Sequence, residues 1–113
     1  MTLNDAKKVI IITEKMISKG VCKIIEETGA SGYTIIAAGG KGSRNIRSTS
    51  ERASVIEDFA NVKIEVIVNK DEVAQQIMEN VAAKYFENYP GITYVEDVRI
   101  LRPAKFAREN KQG

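Results

Sequence analysis

Residues 61–68 read NVKIEVIV, and this stretch decides the fold. Val62, Ile64, Val66 and Val68 recur at every second position, with Asn61, Lys63 and Glu65 between them. Period-two alternation of β-branched residues is the pattern of a strand that buries one face. Ile67 breaks the polar set, so the second face of this strand is partly apolar too. Downstream, Asn69 with Glu72 three residues later resembles a capping box, and Val73, Ile77, Val81 and Tyr85 form one helical stripe. Pro90-Gly91 marks a turn. ITYVEDVRIL at 92–101 reads as a strand, with a bulge expected near Glu96–Asp97, where the alternation slips.

Upstream of the deciding strand the same reading applies. KKVIIIT at 7–13 is a short apolar strand. From about Glu14 to Thr28, Ile17, Val21, Ile24 and Ile25 line one side of a helix, and Gly29 stops it. GYTIIAAG at 32–39 is a second strand. The order is therefore β-α-β-loop-β-α-β, the α+β, ferredoxin-like βαββαβ arrangement with two helices on one face of the sheet. Residues 9–12 (VIII), residues 34–38 (TIIAA) and Ile67 place apolar groups on both faces. Two helices cover only one of them, and an uncovered apolar face is usually an interface, so an oligomer is expected. The whole chain, 1–113, reads as one domain with a long loop at about 40–60 and a flexible tail at about 104–113.

Composition narrows the function. The 113 residues are 43% hydrophobic and 28% charged, which suits a globular domain rather than a disordered chain. A net charge of +2 is too small for a generic nucleic-acid coat. There is no histidine and one cysteine, Cys22, so a His/Cys metal site is excluded and a reducing compartment is expected. No apolar run approaches the roughly 20 residues that span a bilayer, and residues 1–16 lack a signal-peptide core. Cys22 lies beside the first helical stripe and reads as a packing residue. Tyr85, Phe86 and Tyr89 read as core filling at the end of the second helix. The acidic pairs Glu57–Asp58, Asp71–Glu72 and Glu96–Asp97 read as solvated faces, because neighbours on a strand point to opposite sides.

The chemistry concentrates in the loop. From Gly39 to Ala60 no strand or long helix is legible, whereas connections in compact domains usually run about 4–6 residues. Residues 39–52 read GGKGSRNIRSTSER. Gly39, Gly40 and Gly42 let the backbone approach a ligand, and successive N–H groups in such a turn form an anion-binding concavity. Lys41, Arg44, Arg47 and Arg52 add positive charge, opposed in that stretch only by Glu51. Guanidinium forks match phosphate oxygens, and Ser43 and Ser48 add hydroxyl donors. The pattern is neither GxxxxGK[ST] nor GxGxxG. It suits a small phosphorylated ligand, but also an acidic protein, an RNA or a plain solvated loop.

Several separated motifs resemble the PII signalling superfamily over nearly the full length. They are NVKIEVIV followed by an acidic helix start, the long loop between strands two and three, and GYTI leading into GGKG. GGKGSRNIRS and the ending RILRPAKF are most similar to the SbtB type, the PII-like regulators of the cyanobacterial sodium-dependent bicarbonate transporter. The resemblance implies a homotrimer that senses AMP, cyclic AMP, ADP or ATP in clefts between subunits. The long loop closes on the ligand and docks on the membrane transporter, within a carbon-concentrating mechanism. It implies a non-enzymatic, cytoplasmic protein that is reversibly membrane-associated, without nucleic-acid partners, metal or covalently bound cofactor.

Residue by residue, the resemblance assigns Thr34 to the adenine and Gly40, Lys41 and Gly42 to the base of the loop. It assigns Ser43, Arg44 and Arg47 to phosphate, and Glu65, Val66 and Ile67 to the adenine pocket. Tyr89, Pro90 and Gly91 would come from the adjoining subunit. The lysine that follows that last turn in the classical family is Ile92 here, which favours fewer phosphates and speaks against ATP with 2-oxoglutarate. The loop has no tyrosine, so uridylylation is not expected, and the tail has no cysteine for a redox switch. The alternatives are a slow ADP/ATP phosphohydrolase drawing on Glu51, Glu57 and Asp58, and a ferredoxin-like RNA-binding module. The RNA reading lacks the aromatic residues that such modules carry on their central strands.

Overall fold

The computed structural model describes residues 2–30, 32–39 and 60–101. In chain order these form β1 (Asn4–Glu14), a 3-10 turn (Lys15–Ile17), α1 (Ser18–Glu27) and β2 (Thr34–Ala38). There follow β3 (Asn61–Val68), α2 (Asp71–Tyr85) and β4 (Gly91–Ile100). The sheet order is β2-β3-β1-β4 and every neighbouring pair is antiparallel, the ferredoxin-like topology expected from the pattern.

The alternation at 61–68 does what it predicts. Val62, Ile64, Val66 and Val68 all turn into the core. They meet Val9 and Ile11 from β1, Ile17, Val21, Ile24 and Ile25 from the first helical stripe, and Ala74, Ile77 and Val81 from α2. Nearly all of these are β-branched, stiff side chains that suit a pleated surface. Tyr85, Phe86 and Tyr89 are half-buried against this cluster. α1 is capped at its C-terminus by Thr28 with Gly29 next at φ +88°, a left-handed residue where glycine avoids the Cβ penalty.

Among the described residues the other sheet face carries no helix. Register places Tyr94, Ile10, Glu65 and Thr34 in one row across the sheet, and Ile92, Ile12, Lys63 and Ile36 in the next. Ile10 is buried among its neighbours, but Ile36 is 47% and Ile92 55% exposed. The ion pairs Lys63–Glu65 (3.5 Å) and Lys8–Glu96 (3.4 Å) lie on the same face.

Three local expectations are corrected. The β1–β4 register runs without a break from Asn4↔Ile100 to Thr13↔Gly91, so there is no bulge at Glu96–Asp97. The alternation slips there because both faces carry charge, Glu96 pairing with Lys8 and Asp97 with Lys7. The second helix is not capped by Asn69: Lys70 is the N-cap and makes no side-chain cap bond. Asp71 and Glu72 in its first turn favour that end through the helix dipole instead. β1 starts before the apolar run, at Asn4, because β4 continues to pair with it through Asp5↔Arg99 and Asn4↔Ile100.

Cys22 is the packing residue expected of it, and burial pushes its thiol pKa up. The folded state therefore disfavours the thiolate. Its contribution to stability is complete below the unfolded thiol pKa and is lost as the pH rises from there through the folded one. The native thiol is expected to react slowly with a disulfide reagent at pH 8 and rapidly after unfolding. Complete reaction of the native protein within seconds would contradict the packing described.

Candidate functional site

One end of the sheet gathers the features that the sequence singles out. β2 leaves toward the long loop at Ala38 and the chain returns at Asn61, and these two residues pair directly. On the next strand Asn61 faces Glu14, so the base of the loop lies beside the end of β1. The N–H of Lys15 donates to the Ala60 carbonyl at 2.7 Å and holds the returning chain there.

The turn before β4 reaches the same end. Gly91 pairs with Thr13, whose buried hydroxyl donates to the Pro90 carbonyl at 2.9 Å. That bond satisfies a buried hydroxyl and fixes the turn at once. The N–H groups of Asn88 and Tyr89 both donate to the Tyr85 carbonyl, at 3.1 and 2.9 Å. The Tyr85 and Tyr89 rings meet edge to face, with centroids 6.2 Å apart. Phe86 closes over Gly91 so tightly that a Cβ there would collide with its ring. Gly91→Ala is accordingly expected to destabilise the fold by about 1–3 kcal/mol through overpacking. An unchanged denaturation midpoint would mean that the ring swings aside freely.

The assigned adenine residues divide in two. Thr34 and Glu65 are direct cross-strand partners on the helix-free face, and Ile67 shares that face two residues on. Thr34 is exposed and presents its hydroxyl at the edge of the sheet. Val66, between them, has its side chain in the core beneath the helices, so it can offer a ligand only backbone. Gly40, Lys41, Gly42, Ser43, Arg44 and Arg47 lie outside the described residues, as do Glu51, Glu57, Asp58 and the tail from 102.

The two described halves of the site do not meet within one chain. Thr34 is on β2 and Gly91 on β4, at opposite edges of the sheet. Three strand spacings separate them, about 14 Å, and about 10 Å more along the strands. Ile10 and Ile12 of β1 lie between. A base resting on Thr34 is beyond the reach of the Tyr89–Gly91 turn of its own chain. Among the described residues no cluster of acidic, cysteine or histidine side chains has metal-site geometry. No helix among them is long and apolar enough to cross a membrane.

The antiparallel βαββαβ sheet, with no helix on one face among the described residues and a long connection from β2 to β3, defines the class. Residues 6–105 match the nitrogen regulatory protein P-II family, and the chain belongs to that family. A PII-like signalling protein from Thermus thermophilus is 37% identical, with a TM-score of 0.73 over 93% of this chain and 98% of that one. CPII from Thiomonas intermedia, solved with ADP, AMP and acetate, is 29% identical with a TM-score of 0.74. That match covers 94% of this chain and 98% of CPII. The same protein solved with ADP and bicarbonate gives a TM-score of 0.77 at 28% identity, over 92% and 96% of the two chains.

Proposed function

We propose that the protein is an adenine-nucleotide sensor of PII-like type. It acts as a homotrimer and binds AMP, cyclic AMP, ADP or ATP in the clefts between subunits. The observation that carries this reading is the placement of Thr34 and the Tyr89–Gly91 turn at opposite edges of one sheet. They complete a site only when the β2 edge of one copy lies against the β4 edge of another. The uncovered face with Ile36 and Ile92 supplies apolar surface to bury in that assembly. CPII, solved with ADP and AMP, supports the ligand class. In this reading Thr34 and Ile67 contact the base, while Gly40, Lys41, Gly42, Ser43, Arg44 and Arg47 take the phosphates. Ile92, apolar at the start of β4, favours ligands with fewer phosphates.

The finer assignment follows the SbtB resemblance: through its loop the trimer docks on a membrane bicarbonate transporter and regulates carbon uptake. The protein is then cytoplasmic and membrane-associated only while docked, and signals rather than catalyses. A CPII structure bound to ADP and bicarbonate supports a link to inorganic carbon. Light scattering tests the assembly on which the reading depends. Three chain masses are expected, and a monomer at micromolar concentration would contradict it, since neither half of the site would then be complete.

A further inference from the structure

We infer that Tyr33 is a positioning residue for base recognition: its tether to α1 sets the roll of β2 and so the reach of the Thr34 hydroxyl. This rests on the adenine site proposed above. β2 is a five-residue edge strand, paired on one side only with β3, and Thr34 is its first residue. The start of an edge strand is where a sheet frays most easily. The preceding segment adds little stiffness, since Gly32 has open space where a Cβ would be and Gly29 occupies the left-handed region.

Tyr33 supplies what the glycines do not. Its ring packs half-buried against the core on the helix side. Its hydroxyl donates to the Glu26 carboxylate on α1 at 2.8 Å. The bond to Glu26 holds the phenol pKa well above its ordinary value, so Tyr33 remains a donor at every physiological pH. Thr34 faces the opposite way, in the row with Glu65 and Ile10. Neighbouring residues on a strand project to opposite faces, so a rotation that frees Tyr33 turns Thr34 by the same angle. The helix layer thus fixes a hydroxyl on the helix-free face through one side chain.

Calorimetry on the intact trimer, with ADP and GDP as probes, tests this inference. Tyr33→Phe keeps the ring and removes the tether; Glu26→Ala removes its acceptor; Glu26→Gln retains an acceptor oxygen. Tyr33→Phe and Glu26→Ala are each expected to weaken ADP binding about three- to tenfold, the size of one lost hydrogen bond. Both should also lower the preference for ADP over GDP, a ratio that partial unfolding does not change. The double variant should lose no more than either single one, and Glu26→Gln should stay near the parent. If the parent binds ADP and both single variants match it within twofold, the positioning role is overturned and the adenine site stands. If the parent fails to bind ADP, the adenine site and this inference fall together.

Discussion

Arg44→Ala and Arg47→Ala are each expected to weaken AMP binding roughly 10-fold to 150-fold at 25 °C. The two arginines lie three apart, just beyond the glycines of GGKG. A curled chain at that spacing lets both guanidinium groups face one phosphate while backbone N–H groups approach it from the glycine turn. Charge-assisted hydrogen bonds of this kind contribute about 1.5–3 kcal/mol each. Adenosine, which has no phosphate, should bind weakly to the parent and be almost indifferent to either substitution. Arg52 is the internal control, because it lies farther along the loop and its loss should affect partner docking more than nucleotide affinity. Unchanged AMP affinity in both variants, with loss in Arg52→Ala, would move the phosphate site farther along the loop.

The second large effect concerns stability. Ile64→Ala is expected to destabilise the fold by about 2–5 kcal/mol, as large-to-small changes at sealed core positions do. Ile64 is fully buried, pairs with Ile11 on β1 and Ile35 on β2, and lies beneath the helix layer. In a domain of this size each kcal/mol shifts the melting temperature by about 4 °C or more, so a fall of at least about 8 °C should be visible. Ile36→Ala, one strand over on the helix-free face, is the contrast. Ile36 is 47% exposed in the single chain, so its truncation should act on assembly more than on the subunit's own core. Equal losses in the two variants at a protein concentration that keeps the proposed trimer intact would contradict this division of the faces.

The helix-facing half of the molecule was legible in the sequence because its signals are local. The alternation of Val62 to Val68, the stripe Ile17–Val21–Ile24–Ile25 and the left-handed stop at Gly29 each depend on neighbours a few residues away, and each appears as read. Where charge replaced apolar residues, local reading failed. Glu96 and Asp97 looked like a slip in register, yet cross-strand lysines Lys7 and Lys8 accommodate them in an unbroken ladder. Asn69 looked like a cap, but the helix starts at Asp71 and takes its favourable charge from Asp71 and Glu72.

The site was less legible than the fold. The resemblance grouped Val66 with Glu65 and Ile67 in the adenine pocket, but the alternation had already turned its side chain to the core, where the structure has it. The distance between Thr34 and Gly91 follows from strand order, which no single motif encodes. Tyr33 stands inside the GYTI motif, yet the sequence assigned it no role. Its role depends on Glu26, seven residues back, meeting it across the turn between α1 and β2.

Calorimetry of the protein with AMP, cyclic AMP, ADP, ATP and a short RNA tests the central claim most directly. The account predicts saturable binding of adenine nucleotides at one site per chain and no heat with RNA. Binding of the RNA alone, with no response to any of the four nucleotides, would contradict it.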